Sequence, residues 1–383
     1  MITTSCSILS QSPVGSEPIL IGFVAPFTGV MASSSVSTWQ GMLLAINEIN
    51  EAGGVLGHPL VLENRSVETD PQAGEQAVAE LIDLGAVAIF GGVYDDVIMG
   101  YLDELAAAQI PLLNVWATLP SIVKNGYDPN VTFCIAAAAG QITEYLARYP
   151  LEVLNSQRPA LIVEASNWGN AHAELLSWRF AELGIPTVRI ERFRVGVTNM
   201  HSHIRELRKH NVDSIILIAN SREAAVATRT IHSIGWQVPI ISHPNIQANV
   251  FVDQAGPAAS EGVYVMHTKA FMVENSARQQ HLIDSYQRFF HMSGNQRLPN
   301  PGAVARGYDG VYLLATAMAK SGVTDKNSLL YALLNDIDMY KGVLKEYRSP
   351  FSQEVRNPFD VGDYVMARFQ KGRLVPAERA VLN

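Results

Sequence analysis

The chain has little cysteine, little charge and no long apolar run, and each shortage narrows the reading. Its 383 residues include two cysteines, Cys6 in a polar leader and Cys134 in an apolar segment. Neither a disulfide framework nor a zinc spacing is expected from such a pair. Lys and Arg total 28 against 36 Asp and Glu, a net charge of −8, and no basic block exceeds a few residues. Binding to nucleic acid by counterion release needs clustered Lys and Arg, so no nucleic-acid partner is expected. No stretch of about 18 consecutive apolar residues occurs, so no direct membrane span is expected. Residues 1–18 have neither a basic start nor an apolar core, so they are not an intact signal peptide and are expected to form a disordered leader. Either a signal has been removed or the protein is cytoplasmic, and Thr3-Thr4-Ser5-Cys6 weakly resembles the end of a lipoprotein signal.

Catalytic signatures are missing as well. There is no GxxxxGK[ST], no GxGxxG after a strand, no GxSxG and no HExxH. The glycine-rich AGGVLG at 52–57 follows a helix instead of opening one, the wrong context for a nucleotide loop. No catalytic residue, metal or cofactor is therefore expected. His201-Ser-His203 lacks a nearby cluster of further ligands and reads as the start of an exposed helix.

What is present is a folding pattern. Hydrophobic residues make up 48% and charged residues 17%, as in a globular protein, and the length favours two domains. Residues 86–118 carry the plan most clearly. The apolar run 86–90 reads as a buried strand ended by Gly91-Gly92; Asp95-Asp96 can cap a helix running to Ala108; 110–115 is a second strand. A strand, a helix and a strand joined this closely make a right-handed unit with parallel strands. Ligands of such sheets lie beyond the carboxyl ends of the strands, here residues 92–96 and 116–118.

The same alternation fills most of the chain. Strands are expected at 19–25 and 60–67, helices at 39–50 and 71–84, and a hydroxyl-rich turn at 33–38. The pattern restarts with strands at 160–165, 186–193, 214–219, 238–242 and 263–267. A loop is expected at 166–170, with Trp168 on it, and the intervening helices fall near 171–183, 200–210 and 222–234. Leu84-Gly85-Ala86, Leu183-Gly184-Ile185 and Ile234-Gly235-Trp236 mark one recurring helix–glycine–strand joint. Helices follow at 276–291, 303–321 and 325–334, then a hairpin at 364–375. The fold class is therefore α/β, with two doubly wound, Rossmann-like lobes.

The segments IGFVAPFTG and GMLLAINEINEAGGVLGHPL, the spacing within 91–118, RGYDGVYLL from Arg306, and the tail YKGVLKEYRSPFSQ with DYVMARFQKGRLVP resemble one family. It is that of the branched-chain amino-acid-binding proteins, type I periplasmic solute-binding proteins of ABC importers, and the likeness runs from about Ile19 to Pro376. The resemblance implies two lobes joined by three crossovers, the first from 19–138 plus 268–340 and the second from 139–267 plus 341–383. A small molecule would be held in the cleft as the lobes close, and an ABC importer permease would be the partner. The implied location is periplasmic or extracytoplasmic.

Site residues carry over in part. Thr118 matches a Thr that holds the substrate carboxylate in amino-acid-binding members, but Asp95 stands where they have a Ser. Two carboxylates repel unless a proton or cation intervenes, so ordinary carboxylate binding is not expected. His243 or Pro244, with Asn245 beside it, occupies the place of the Glu that takes the ammonium. Trp168 and Asn220 or Ser221 stand near ligand-facing Tyr positions. With Ser34, Tyr94, Trp116 and Ala117 from the loops, these are the candidate ligand residues.

Each has a plainer role open to it. Asp95 can cap a helix, Trp116 can be core, Ser34 can belong to a turn, and His243 can be a buried, hydrogen-bonded histidine. The expected solute is amino-acid-like, amide-like or a small aromatic. The alternative is a ligand-sensing regulator or receptor ectodomain of the same fold, cytoplasmic in the first case.

Overall fold

The computed structural model describes residues 17–185, 189–246, 248–273, 276–292 and 298–378. Cys6 and nearly all of the expected leader lie outside them. The chain divides into two compact units. The first comprises Met1–Ala117, Asn125–Ile135 and Leu282–Pro358; the second comprises Thr118–Lys124, Ala136–His281 and Phe359–Asn383.

In the first unit, strands β1 (Ile19–Ala25), β2 (Leu60–Ser66), β3 (Ala88–Gly91), β4 (Leu112–Asn114) and β5 (Thr132–Cys134) pair in the order β2-β1-β3-β4-β5. Every pairing is parallel. All four residues of β3 are buried, and β1 is nearly so, as suits a parallel sheet covered on both faces. The strand order reverses between β1 and β3, which makes their carboxyl ends the switch point of this sheet.

Two long helices, Ala32–Glu51 and Pro301–Ser321, pack closely because each offers a glycine to the other's backbone. A Cβ on Gly41 would lie 2.0 Å from the Val304 carbonyl oxygen, and one on Gly307 would lie 2.1 Å from that of Thr38. The first helix begins earlier than expected. Residues 33–38 are its opening turns, not a loop, and there Ser37 and Thr38 satisfy their hydroxyls by donating back to the Ser33 and Ser34 carbonyls at 2.8 and 3.0 Å. The helix expected from Asp95 to Ala108 is broken at Tyr101 into Asp95–Gly100 and Leu102–Ala108. Tyr94, not Asp95, is the capping residue, and both aspartates lie in the first turn.

In the second unit, strands β6 (Pro159–Glu164), β7 (Arg189–Phe193), β8 (Ser214–Ile218), β9 (Ile240–Ser242) and β10 (Tyr264–Thr268) run parallel in the order β10-β9-β8-β6-β7. Relabelled from its own first strand, this is the order of the first unit. The echo in the sequence is thus an echo in topology, with the second switch point between β6 and β8. The three glycines of the recurring joint have φ of 89°, 86° and 63°, the left-handed conformation that ends a helix at little cost only in glycine. A helix at Ala139–Glu152, which the sequence reading left unassigned, carries Pro150 in its last turn.

Of the two remaining hairpins, the one at 364–376 falls where expected and the other does not. Strands β11 (Met339–Lys341) and β12 (Glu346–Arg348) form a short antiparallel pair inside the first unit, whereas residues 341–358 were expected with the second lobe. Their anchor is the buried carboxylate of Asp309. It accepts from Val343 N–H at 2.8 Å, Leu344 N–H at 2.9 Å, and the Tyr340 and Tyr347 hydroxyls at 3.3 and 3.1 Å. Residues 268–281, expected with the first lobe, stay with the second unit, where Lys269 N–H donates to the Asp363 carbonyl. The tail strands β13 (Tyr364–Gln370) and β14 (Arg373–Pro376) complete the second sheet as an antiparallel hairpin beside β10, turning through Lys371-Gly372. No described helix is long and apolar enough to cross a membrane.

Candidate functional site

At the rim of the first sheet, β3 ends at Gly91 and the chain turns through Tyr94 into the helix Asp95–Gly100. A small recess here is lined by Ala25, Pro26, Glu68, Gly92, Tyr94 and Tyr101 at the carboxyl ends of β1 and β3. Asp95 is 8% exposed, so its carboxylate is largely withdrawn from water. Tyr101 is fully buried, and that burial pushes its phenol well above the usual range.

The next loop is shaped by Asn114, the last residue of β4. Its side-chain oxygen accepts from Trp116 N–H at 3.1 Å and Ala117 N–H at 2.9 Å, and its amide donates to the Ala117 carbonyl at 2.7 Å. This Asx-type turn presents Trp116, whose ring is covered by the Arg306 guanidinium at 4.2 Å from its centroid. Asn114 and Arg306 were not among the sequence candidates. An Asn closing an apolar run signals the first; nothing local signals the second, because its partner lies about half the chain away. Thr118 follows, buried, with its carbonyl accepting from Ala139 N–H at 3.0 Å. Ser34 is a buried helical residue near the start of Ala32–Glu51.

The rim of the second sheet gathers four candidates. Trp168 stands not on a loop but in the first turn of the helix Asn167–Glu182, which Ser166 caps through Gly169 N–H at 3.2 Å. Its ring meets His172 at a centroid distance of 5.2 Å and His243 at 4.9 Å, and the two histidines lie 4.9 Å apart. Asn245 N–H donates to His243 Nδ1 at 3.1 Å, and the Asn245 side chain reaches Asn220 at 3.4 Å. Asn220 in turn donates to the Glu164 carboxylate at 3.3 Å.

The tautomers follow from these partners. A carbonyl can only accept, so the contact of His172 Nδ1 with the Trp168 carbonyl at 2.9 Å places a proton on that nitrogen. His243 Nδ1 accepts instead, so its proton is on Nε2, and neither Nε2 has a hydrogen-bond partner. A protonated Nε2 cannot ligate a metal, and no group of three or more ligand residues is placed for one among the described residues. His201 and His203 find Asn199 and Glu191 as partners. Cys134 is a buried thiol.

Burial decides the charge state of this rim. Desolvation lowers His172 to about 4 and holds His243 well below the ordinary 6.5, helped by the field of its neighbour. Glu164 is raised, chiefly by burial and further by the nearby Glu223 carboxylate, while Ser166 and Asn220 pull it down. Between pH 6.5 and 4 the unfolded chain binds the proton that folded His172 refuses, so stability rises with pH across that window. His172 alone is expected to cost roughly 2 kcal/mol on going from pH 7.5 to pH 5, with His243 acting in the same direction. Urea unfolding at the two pH values measures it. His172→Gln should flatten the slope, and an unchanged slope in that variant would refute the assignment.

Two doubly wound units of one strand order, each with polar and aromatic side chains at its switch point, make the arrangement in which folds of this class hold their ligands. The chain belongs to the periplasmic binding protein family, a solute-binding family whose sequence model matches residues 18–361. The Leu/Ile/Val-binding protein BraC3 of Rhizobium johnstonii is 24% identical over 66% of this chain and 68% of its own length. Leu/Ile/Val-binding protein homolog 3 of Brucella melitensis is 22% identical over 83% of each. Among solved structures, the branched-chain amino acid transporter substrate-binding protein LivJ of Streptococcus pneumoniae, in complex with isoleucine, superposes with a TM-score of 0.81. It is 21% identical over 96% of this chain and 99% of its own. A fatty acid ABC transporter substrate-binding protein from Thermomonospora curvata has a TM-score of 0.79 at 17% identity, over 98% and 95%. At these identities the structural likeness concerns the fold.

Proposed function

We propose that the protein is the extracytoplasmic solute-binding component of an ABC importer, that it is not an enzyme, and that it captures a small molecule by closure of its two lobes. One observation carries the reading. The sequence candidates gather at the carboxyl ends of two sheets of the same order, where doubly wound folds place their ligands. In this reading Thr118 and the amides of 116–118 take a polar group, and Asp95 takes a hydroxyl, amide or cation. Tyr94, Trp116 and Trp168 cover the apolar part, with Asn220, His243 and Asn245 lining the second rim. Closure is driven by the solute's higher affinity for the closed form and read by the importer's permease.

The curated relatives support an amino-acid-like solute, while the fatty acid protein of the same fold shows that architecture alone does not set the cargo. A thermal-shift screen of amino acids, short amides, polyamines and aromatic acids tests the reading. A native-state ligand at about 100 times its Kd adds about 2.7 kcal/mol of stability, a rise that is easily seen. Trp168→Ala and Thr118→Ala are each expected to weaken the hit at least tenfold. If both keep full affinity, the solute lies elsewhere. Silence across all four classes would count against solute capture.

A further inference from the structure

Residues 189–210 run against the charge of the rest of the chain. They carry six Lys and Arg against two Glu, a net +4 in a protein of −8. They form β7, which is the last strand of the second sheet, then a turn and the helix His201–Lys209. The two acids are consumed inside the segment. Glu191 faces His203 at 3.0 Å and Arg189 at 3.9 Å, and Glu206 takes Arg189 at 2.7 Å, His210 at 3.0 Å and Lys209 at 3.4 Å. Four exposed arginines remain uncompensated. Arg192 donates to the Asn170 side-chain oxygen at 3.2 Å, and Arg205 and Arg208 donate to the His201 and Ile234 carbonyls at 3.3 Å, all neutral acceptors. Arg194 has no acid partner among the described residues. The helix sets the arrangement: Ile204 and Leu207 are buried in the core, so His201, Arg205 and Arg208, at i, i+4 and i+7, line its outward face. Charge on an edge strand keeps it from pairing with another chain, which accounts for Arg189 and Arg192. It does not account for Arg194 in the turn or for the arginines of the helix. At the tip of the turn Val195 is 68% exposed, and the buried Glu223 carboxylate holds the next residue, Gly196, by its N–H at 2.9 Å.

We propose that the β7 edge and the outward face of the helix His201–Lys209 are a docking surface for a bilayer that bears anionic phospholipid headgroups. The guanidinium groups of Arg192, Arg194, Arg205 and Arg208 meet headgroup phosphates, whose oxygens match their paired N–H groups, and Val195 enters between the headgroups. A protein partner is disfavoured because protein interfaces have an apolar centre inside their polar rim, and Val195 is the only large apolar side chain exposed in the segment. The proposal rests on the importer reading for its purpose alone: a protein that hands solute to a permease meets it more often when one unit is held at the membrane.

Co-sedimentation of the full chain with vesicles tests it. At about 50 mM salt, phosphatidylcholine vesicles with about 30 mol% phosphatidylglycerol should bind the protein at least about tenfold more tightly than phosphatidylcholine alone, and about 500 mM salt should abolish the difference. Arg194→Glu, Arg205→Glu and Arg208→Glu together should weaken binding to the anionic vesicles at least about tenfold. Should that variant not fold, Arg205→Gln alone is expected to weaken binding about fivefold. The control reverses three exposed cations of the first unit, Lys320→Glu, Lys341→Glu and Arg348→Glu, for the same change in net charge, and should bind as the native protein does. Equal binding to the two vesicle types, or a folded Arg variant that binds like the native chain, would overturn the proposal. So would binding of polyglutamate with no preference for anionic vesicles, which would give the face to an acidic protein. Solute binding is read separately: a solute hit without vesicle binding refutes the docking surface alone, and vesicle binding with a silent solute screen refutes the capture reading alone.

Discussion

Gly41→Ala is expected to destabilise the first unit by at least about 3 kcal/mol, an effect large for one methyl group. The added carbon would meet the Val304 carbonyl at 2.0 Å, and the obstacle is backbone, so no rotamer change relieves it. The helices would have to separate, and with them the apolar faces that they bury together. Gly307→Ala meets the Thr38 carbonyl at 2.1 Å and should behave alike. Gly140 supplies the control. It is helical and has nothing within 4 Å of a built Cβ, so Gly140→Ala should be neutral or slightly stabilising. Urea midpoints of the three variants measure the contrast, and a Gly41→Ala protein as stable as Gly140→Ala would show that the close approach is not tight.

Asp309→Ala is expected to cost about 3–5 kcal/mol, because it strands donors in a dry interior. The carboxylate is fully buried and gathers two backbone amides and two tyrosine hydroxyls, while Tyr312, Tyr340 and Tyr347 stack in sequence beside it. Asp309→Asn should fall between, since one oxygen remains to accept while the amide nitrogen faces further donors. Limited proteolysis separates a local from a global effect, because loss of the anchor should expose 338–350 to cleavage first. A hairpin that stays resistant in the Asp309→Ala protein would refute the anchoring role.

Much of this architecture is written locally. Short apolar runs bounded by glycine mark the buried strands, and the three helix–glycine–strand joints turn where expected because a left-handed residue must end those helices. What was missed depends on partners far along the chain. Residues 341–358 follow the hairpin side of Asp309, 31 to 38 residues upstream, and no periodicity in the tail reports that. Tyr101 breaks an otherwise continuous helical pattern because its ring is drawn wholly into the core. Trp168 read as a loop residue, since a serine cap two positions earlier is a weak local mark. At the candidate site the loops at 92–96 and 116–118 were legible from strand ends. Glu164 and His172 were not, because an acid closing an apolar strand acquires meaning only when Asn220 and Glu223 are seen beside it, and a helical histidine only when His243 is.

The glycine contact between the two long helices also sets a timetable. Tyr308 of the later helix donates its hydroxyl to Glu48 of the earlier one across 260 residues of sequence. As the chain leaves the ribosome, the first helix therefore has its partner surface missing while β6 to β10 are made and can assemble among themselves. The unit that begins the chain cannot close until residues 282–358 are made, and for most of synthesis its open helix face is what a chaperone would have to shelter.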